Sequence, residues 1–307
     1  DRIEVRFWRR RVSARLGSHW LALLGFAWDP VRSARADQTV ADGFDVESYD
    51  RYIFVGNMNC SFAGAAVVGG DLAWIRSFTG GFRSVANHEY GHMLGAQHAS
   101  LKTCSTGVLQ SPYNETACTH SEYGDRSDVM GAAAQGHFNA GFKDMVGWLS
   151  TSQKTTITSS GIYDIAPVST ASGLKLLRIA LPGRGLFYEL DYRQPIGFDY
   201  YQPQEYFLSE FYTGAALRMK RDTGSGIFHH GNNENSNTYL LDVDIPNEVY
   251  YVLKDNFTYT DSVHGVTIKQ LSHSSSYAKV QVTIDLSLIH ISEPTRLRRI
   301  SYAVFCL

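Results

Sequence analysis

The chain of 307 residues lacks any long apolar run. The longest, Trp20 to Trp28, is far too short to span a bilayer, which takes about 20 residues as a helix. It also lacks an excess of charge. The formal net charge of -2 gives no sign of a nucleic-acid partner or of an anionic membrane surface. Charged residues make up only 19%, whereas Tyr (18) and Phe (16) are abundant, a balance that suits strands better than long solvated helices. No signal peptide and no propeptide are recognisable; because the first residue is Asp1 and not Met, their absence does not bear on secretion. Cysteine is scarce, with four in all. Cys104 and Cys118 are the preferred pair, closing a loop of about fifteen residues worth roughly 3 kcal/mol. Cys60 and Cys306 are left over, and for Cys60 a free thiol and a metal-blocking thiolate both stay open.

What is present is concentrated in one stretch, His88-Glu-Tyr-Gly-His-Met-Leu-Gly-Ala-Gln-His98, with the spacing H-E-x-x-H-x-x-G-x-x-H. His88 and His92, one helical turn apart, project from the same face of a helix and can reach one metal ion. Glu89, beside them, can reach a metal-held water without being a ligand, the position of a general base. Gly95 suits the left-handed conformation that ends a helix, so the chain can turn back and bring in His98 as a third ligand. Three nitrogens leave a fourth position open, the pattern of a catalytic zinc site. At about one in twenty per position, five specified residues in one register match by chance in roughly one chain of this length in ten thousand.

The rest of the chain is read around that stretch. Residues 1–33 hold three of the five tryptophans and are rich in arginine. A short strand at Ile3 to Trp8 and a segment foreign to the original protein are both open for them. Residues 34–150 read as one domain: a short helix at Ala34 to Gly43, strands at Tyr52 to Gly56, Ala63 to Gly69 and Leu72 to Phe78, and a turn at Gly69-Gly70-Asp71. The metal-binding helix follows, capped by Thr79, with an apolar face of Phe82, Val85, Ala86 and Met93. The strand just before the helix is a candidate exposed edge for pairing with an extended substrate. Residues 99 to 121 read as a loop. In the next segment, Tyr123-Gly-Asp-Arg-Ser-Asp-Val-Met-Gly131, Met130 sits in a tight glycine-flanked turn where its thioether would pack beneath the histidines without ligating. Phe138 to Leu149 reads as a closing helix. Residues 151–287 show short alternating runs between turn signals, which predict an antiparallel β-sandwich. There the pair His229-His230 reads as a solvated loop, and Asp255 and Asp261 as carboxylates whose spacing matches no calcium loop. Residues 288–307 resemble a vector scar. Asn59, Asn114 and Asn256 are glycosylation sequons.

His88-Glu-x-x-His-x-x-Gly-x-x-His98 with Met130 downstream resembles the metzincin clan of zinc endopeptidases. The segment Tyr123 to Gly131 and the later Phe-Asn-Ala-x-x-Lys-x-x-x-Gly-Trp-Leu look most like the gametolysin family, secreted proteases that digest algal cell-wall glycoproteins. The resemblance implies an α+β metzincin-like catalytic domain, with a small mixed sheet, an active-site helix and a Met-turn, ahead of the β-sandwich. It further implies zinc as cofactor, His88, His92 and His98 as ligands, Glu89 as base and Met130 as the turn methionine. Protein or glycoprotein substrates and an extracellular location are expected, with no nucleic acid and no membrane span. Some metzincins carry a tyrosine two residues after the methionine; this chain has Ala132 there. The competing reading is a secreted β-domain adhesion or matrix-binding protein whose zinc domain is inactive or structural. An intact Glu89 beside an open metal position favours the enzyme, since a retired one has no chemical use for that carboxylate.

Overall fold

A computed structural model describes residues 4–7, 49–56, 62–76, 82–104, 118–131, 136–181, 185–200, 209–221, 228–229, 235–243 and 251–285. The expectations for Ala34 to Gly43, Cys60, Thr79, Ala132, His230, Cys306 and the tail from 288 lie outside these residues. The chain divides into two compact units, residues 1–95 and 96–307.

The first unit is built on four strands, Glu4–Phe7 (β1), Tyr52–Gly56 (β2), Gly64–Ala66 (β3) and Leu72–Arg76 (β4), in the order β1-β2-β4-β3. The β-branched and aromatic residues of β2 favour a pleated, half-buried surface. Its Phe54 lies opposite Trp74 of β4 in parallel register, with ring centroids 6.1 Å apart, in a small core completed by Leu72 and Tyr52. Gly69, at φ +68°, and a hydrogen bond from Gly70 N–H to the Val67 carbonyl (2.9 Å) make the turn that lets β3 run antiparallel to β4. The strand before the helix is therefore not the edge that the sequence suggests: β4 lies between β2 and β3, and β3 is the outer strand.

Helix α1 (Phe82–Met93) follows and packs on β3 and β4. Its buried residues are Glu89, Gly91, His92 and Met93, all in its second half, while Phe82 is exposed. The expected apolar face is thus only partly used, because the helix turns its histidine and glutamate side inward.

The second unit contains two sheets around one core. The larger has His98–Cys104 (β5), Cys118–Ser121 (β6), Lys154–Ile157 (β7), Leu176–Leu181 (β9), Leu186–Tyr192 (β10), Ala215–Arg221 (β11), Phe228–His229 (β12) and Asn235–Leu241 (β13). Its order is β6-β5-β13-β11-β10-β9-β7, with β12 on β13. The smaller is Gly161–Ile165 (β8), Thr258–Asp261 (β14), Val266–His273 (β15) and Ala278–Ile284 (β16), antiparallel throughout in the order β14-β15-β16-β8. The period of two sorts the faces. Leu186, Tyr188, Leu190 and Tyr192 of β10 and Ala215, Leu217 and Met219 of β11 meet Ile268, Val280 and Val282 of the smaller sheet in the main core. Intervening residues Glu189, Asp191 and Arg218 are buried on the opposite face. A short helix, α2 (Ala140–Met145), is tied to that face by a bond from Ala140 N–H to Asp191 Oδ2 (2.9 Å). Its N-cap is Asn139, whose side chain accepts from Phe142 N–H at 2.9 Å.

The expected architecture of a metzincin-like α+β domain followed by an antiparallel sandwich is overturned. The described residues are mostly β with two α-helices, and the large sheet is mixed: β5 pairs parallel with β13, and β7 parallel with β9. It also takes in β5 and β6, from residues read as loop. The reason is visible in β5, whose buried positions are Ala99, Ser100, Lys102 and Cys104, small or polar groups spread over both faces that give no hydrophobic alternation. Lys102 is buried with its ammonium 5.1 Å from the Tyr239 ring centroid. Among the described residues Leu253 forms an isolated bridge to Ala215. No helix among the described residues is long and apolar enough to cross a membrane.

Candidate metal centre

His88 and His92 lie one turn apart on α1, with ring centroids 4.7 Å apart and planes at 85°. The helix ends at Met93. Gly95 then adopts φ +99°, a left-handed conformation that few side chains tolerate, while its N–H donates to the His92 carbonyl at 2.8 Å. An added Cβ at Gly95 would meet nothing within 4 Å, so the need for glycine there is conformational and not steric. Three residues later His98 opens β5, and one ring nitrogen from each of His88, His92 and His98 lies within 4.8 Å of the others. Among the described residues no other group of three potential ligands forms.

Glu89 is buried, and its Oε2 has no hydrogen-bond partner among the described residues. Burial pushes its carboxyl up to about 7, because the charged form has lost water without gaining a partner. Gly64 makes room for it: an added Cβ there would lie 2.5 Å from Glu89 Oε1 and 2.7 Å from Val85 Cγ1. This glycine was not visible as a site residue in the sequence, since nothing local ties β3 to the helix.

Met130 is fully buried with Ala96, Ala99 and Phe142, and its carbonyl accepts from Ala99 N–H (2.9 Å), one residue past His98. Its own N–H donates to Asp128 Oδ1 (2.7 Å), whose other oxygen accepts from Asn139 N–H at 2.5 Å. Burial and then the charge of Asp125 push the Asp128 carboxyl up to about 7. Asp125 itself is held below the usual carboxylate range: burial would raise it, but Arg218 and the Ser127 hydroxyl outweigh that. Arg218 reaches Asp125 Oδ2 (2.7 Å), Asp191 Oδ1 (2.5 Å) and Ser127 Oγ (2.7 Å). The glycines of this segment leave no spare space, as an added Cβ would strike the Asp125 carbonyl at Gly131 and the Leu101 side chain at Gly124. The segment Tyr123 to Gly131 is thus anchored by buried ionic bonds to the polar face of the large sheet.

Two residues unassigned from the sequence flank His98. Glu122 Oε1 lies 2.5 Å from His98 Nδ1, and the Tyr123 ring centroid lies 3.9 Å from that of His98, tilted by 38°. No pattern could have found Glu122, because β5 and β6 must pair before it comes near the histidine. That pairing is cross-linked by the Cys104–Cys118 disulfide, directly across the hairpin. Among the remaining candidates, His229 falls in the two-residue β12 and not in a loop. Asp261 is taken up by His264 Nδ1 (2.6 Å) and the Tyr188 hydroxyl (2.5 Å), and Asp255 by His273 (3.0 Å) and Gln270 (2.9 Å), which leaves neither aimed at an empty site. Asn256 is exposed at a turn with φ +66°; Asn59 and Asn114 lie outside the described residues. No protein-family model, curated protein or solved structure matches this chain, so its chemistry is read from the histidines, Glu89 and their surroundings.

Proposed function

We propose that the chain is a secreted zinc-dependent endopeptidase acting on protein or glycoprotein substrates of cell walls or extracellular matrix, as its resemblance to metzincins of the gametolysin family implies. The observation that carries this reading is the convergence of three imidazole nitrogens within 4.8 Å beside a buried carboxylate that has one unpartnered oxygen. The donor set fits zinc, for which neutral imidazoles are ordinary ligands and three protein donors the mark of a catalytic site. The disulfide adds support for an oxidising compartment.

In this mechanism His88, His92 and His98 would hold the metal. A zinc ion bound there supplies Lewis-acid polarisation of the scissile carbonyl and lowers the pKa of a water toward neutrality. Glu89 takes the proton from the attacking water at its free oxygen and returns it to the leaving amine. Gly64 keeps the wall beside that carboxylate open, and Gly95 sets the path that returns the chain to His98.

The test is zinc content and peptide cleavage on wild type and Glu89→Ala in parallel. Glu89→Ala is expected to keep zinc and lose at least about a hundredfold in turnover, within the range for a positioned general base. Retained cleavage of a casein-like substrate would remove Glu89 from its role. A chelator should abolish cleavage and zinc restore it; activity indifferent to chelation would exclude the mechanism.

A further inference from the structure

His98 differs from its two partners in being carried on a strand, where no helical turn fixes its ring. What surrounds it is specific. Its Nδ1 lies 2.5 Å from the Glu122 carboxylate, and the Tyr123 ring is packed at 3.9 Å on the imidazole. Tyr123 also has φ +58°, and among the described non-glycine residues only Asn256 shares a positive φ. Asparagine adopts that conformation readily, whereas for a bulky aromatic residue it is strained. Such strain persists only where the surroundings impose it. Here β6 ends at Ser121, the next N–H but two, from Gly124, donates back to the Ser121 carbonyl (3.1 Å), and Asp125 N–H donates to the Ala99 carbonyl (3.2 Å). The turn is thereby tied to the strand bearing His98 on both sides of Tyr123.

We propose that Glu122 and Tyr123 are positioning residues for the third metal ligand. The Glu122 carboxylate accepts the Nδ1–H of His98 and so selects the tautomer whose Nε2 is free to bind metal; Tyr123 stacks on the ring and limits its rotation. A carboxylate behind a ligating histidine both orients it and raises its basicity. The inference rests on the reading of the three histidines as a zinc site, and names what completes that site.

Zinc affinity, measured by competition with a chromophoric chelator, tests it without recourse to activity. Wild type, Glu122→Ala, Glu122→Gln and Tyr123→Gly are compared, with unfolding midpoints taken on the metal-free proteins. Glu122→Ala is expected to weaken zinc binding by about ten- to a hundredfold. Glu122→Gln, which keeps an acceptor for Nδ1–H, should recover part of that loss, and it decides the matter if the alanine variant does not fold. Tyr123→Gly should weaken zinc while its unfolding midpoint holds or rises, since glycine relieves the strained backbone; a purely structural tyrosine would lower the midpoint and leave affinity unchanged. Wild-type affinity in both Glu122 variants overturns the positioning role. Absence of zinc binding by wild type instead overturns the metal site itself, so the two failures are told apart.

Discussion

A methyl group added at Gly64 runs into the side chains of Glu89, 2.5 Å from Oε1 and 2.7 Å from Cγ, and of Val85, 2.7 Å from Cγ1. The glutamate would have to swing away, although no ligand is touched. Gly64→Ala is therefore expected to retain stoichiometric zinc and to lose about a hundredfold in kcat/KM, the scale on which a displacement of about 1 Å acts. Zinc content and cleavage of a casein-like peptide measured on one preparation decide it; unchanged kcat/KM would show that the carboxylate has freedom the packing does not suggest. At this scale the sequence was legible where spacing is local. His88, Glu89, His92, Gly95 and His98 declare themselves because helix period and a glycine stop relate them within eleven residues. Gly64 and Glu122 do not, because each acts on a partner that only strand pairing and helix docking bring near.

Between residue and molecule stands the segment from Tyr123 to Gly131, whose resemblance to a protease motif was readable but whose physical task was not. Its Asp125 is an anion buried away from water and satisfied by Arg218, which also reaches Asp191 on β10. Burial favours a neutral guanidinium, but the charges of Asp125 and Asp191 outweigh it, so Arg218 stays firmly cationic. Arg218→Ala would strand two buried carboxylates and is expected to cost about 3–5 kcal/mol, the usual consequence of removing one partner from a buried ionic group. Urea unfolding of the disulfide-intact protein measures this; a loss below about 1 kcal/mol, the value of an exposed pair, would mean water reaches the cluster. The alternation along β10 and β11 was visible as strand, yet a pattern of two cannot say that its charged face is buried as well as its apolar one. That requires knowing what lies above the sheet: α2 and the Met130 turn.

For the whole molecule, the change in composition near residue 150 suggested a catalytic domain followed by an independent sandwich. The sheet does not respect that line, since β5, paired with β6 from before it, also shares hydrogen bonds with β13 from far beyond it. A chain ending at Ser150 would leave one side of β5 without its neighbour and take from Lys102 the Tyr239 ring it packs against. Such a fragment is expected to lack the cooperative urea transition of the full chain and to hold zinc more weakly; a sharp transition in the fragment would show that β5 does not depend on β13. The composition of β5 explains why this was hidden: a strand buried among other strands with one large apolar side chain, Leu101, carries no alternation of its own.

The backbone of Gln97 donates to the side chain of Asn237, 140 positions away, and His98 lies beside Ser236. On a ribosome this has a temporal meaning. The helix with two of the three histidines can form soon after it emerges, but the strand that carries the third, paired early with β6, finds its other neighbour only when translation has passed residue 241. On the proposed reading, hydrolytic competence would wait for that pairing, and the nascent chain would be spared its own chemistry until β13 has been made.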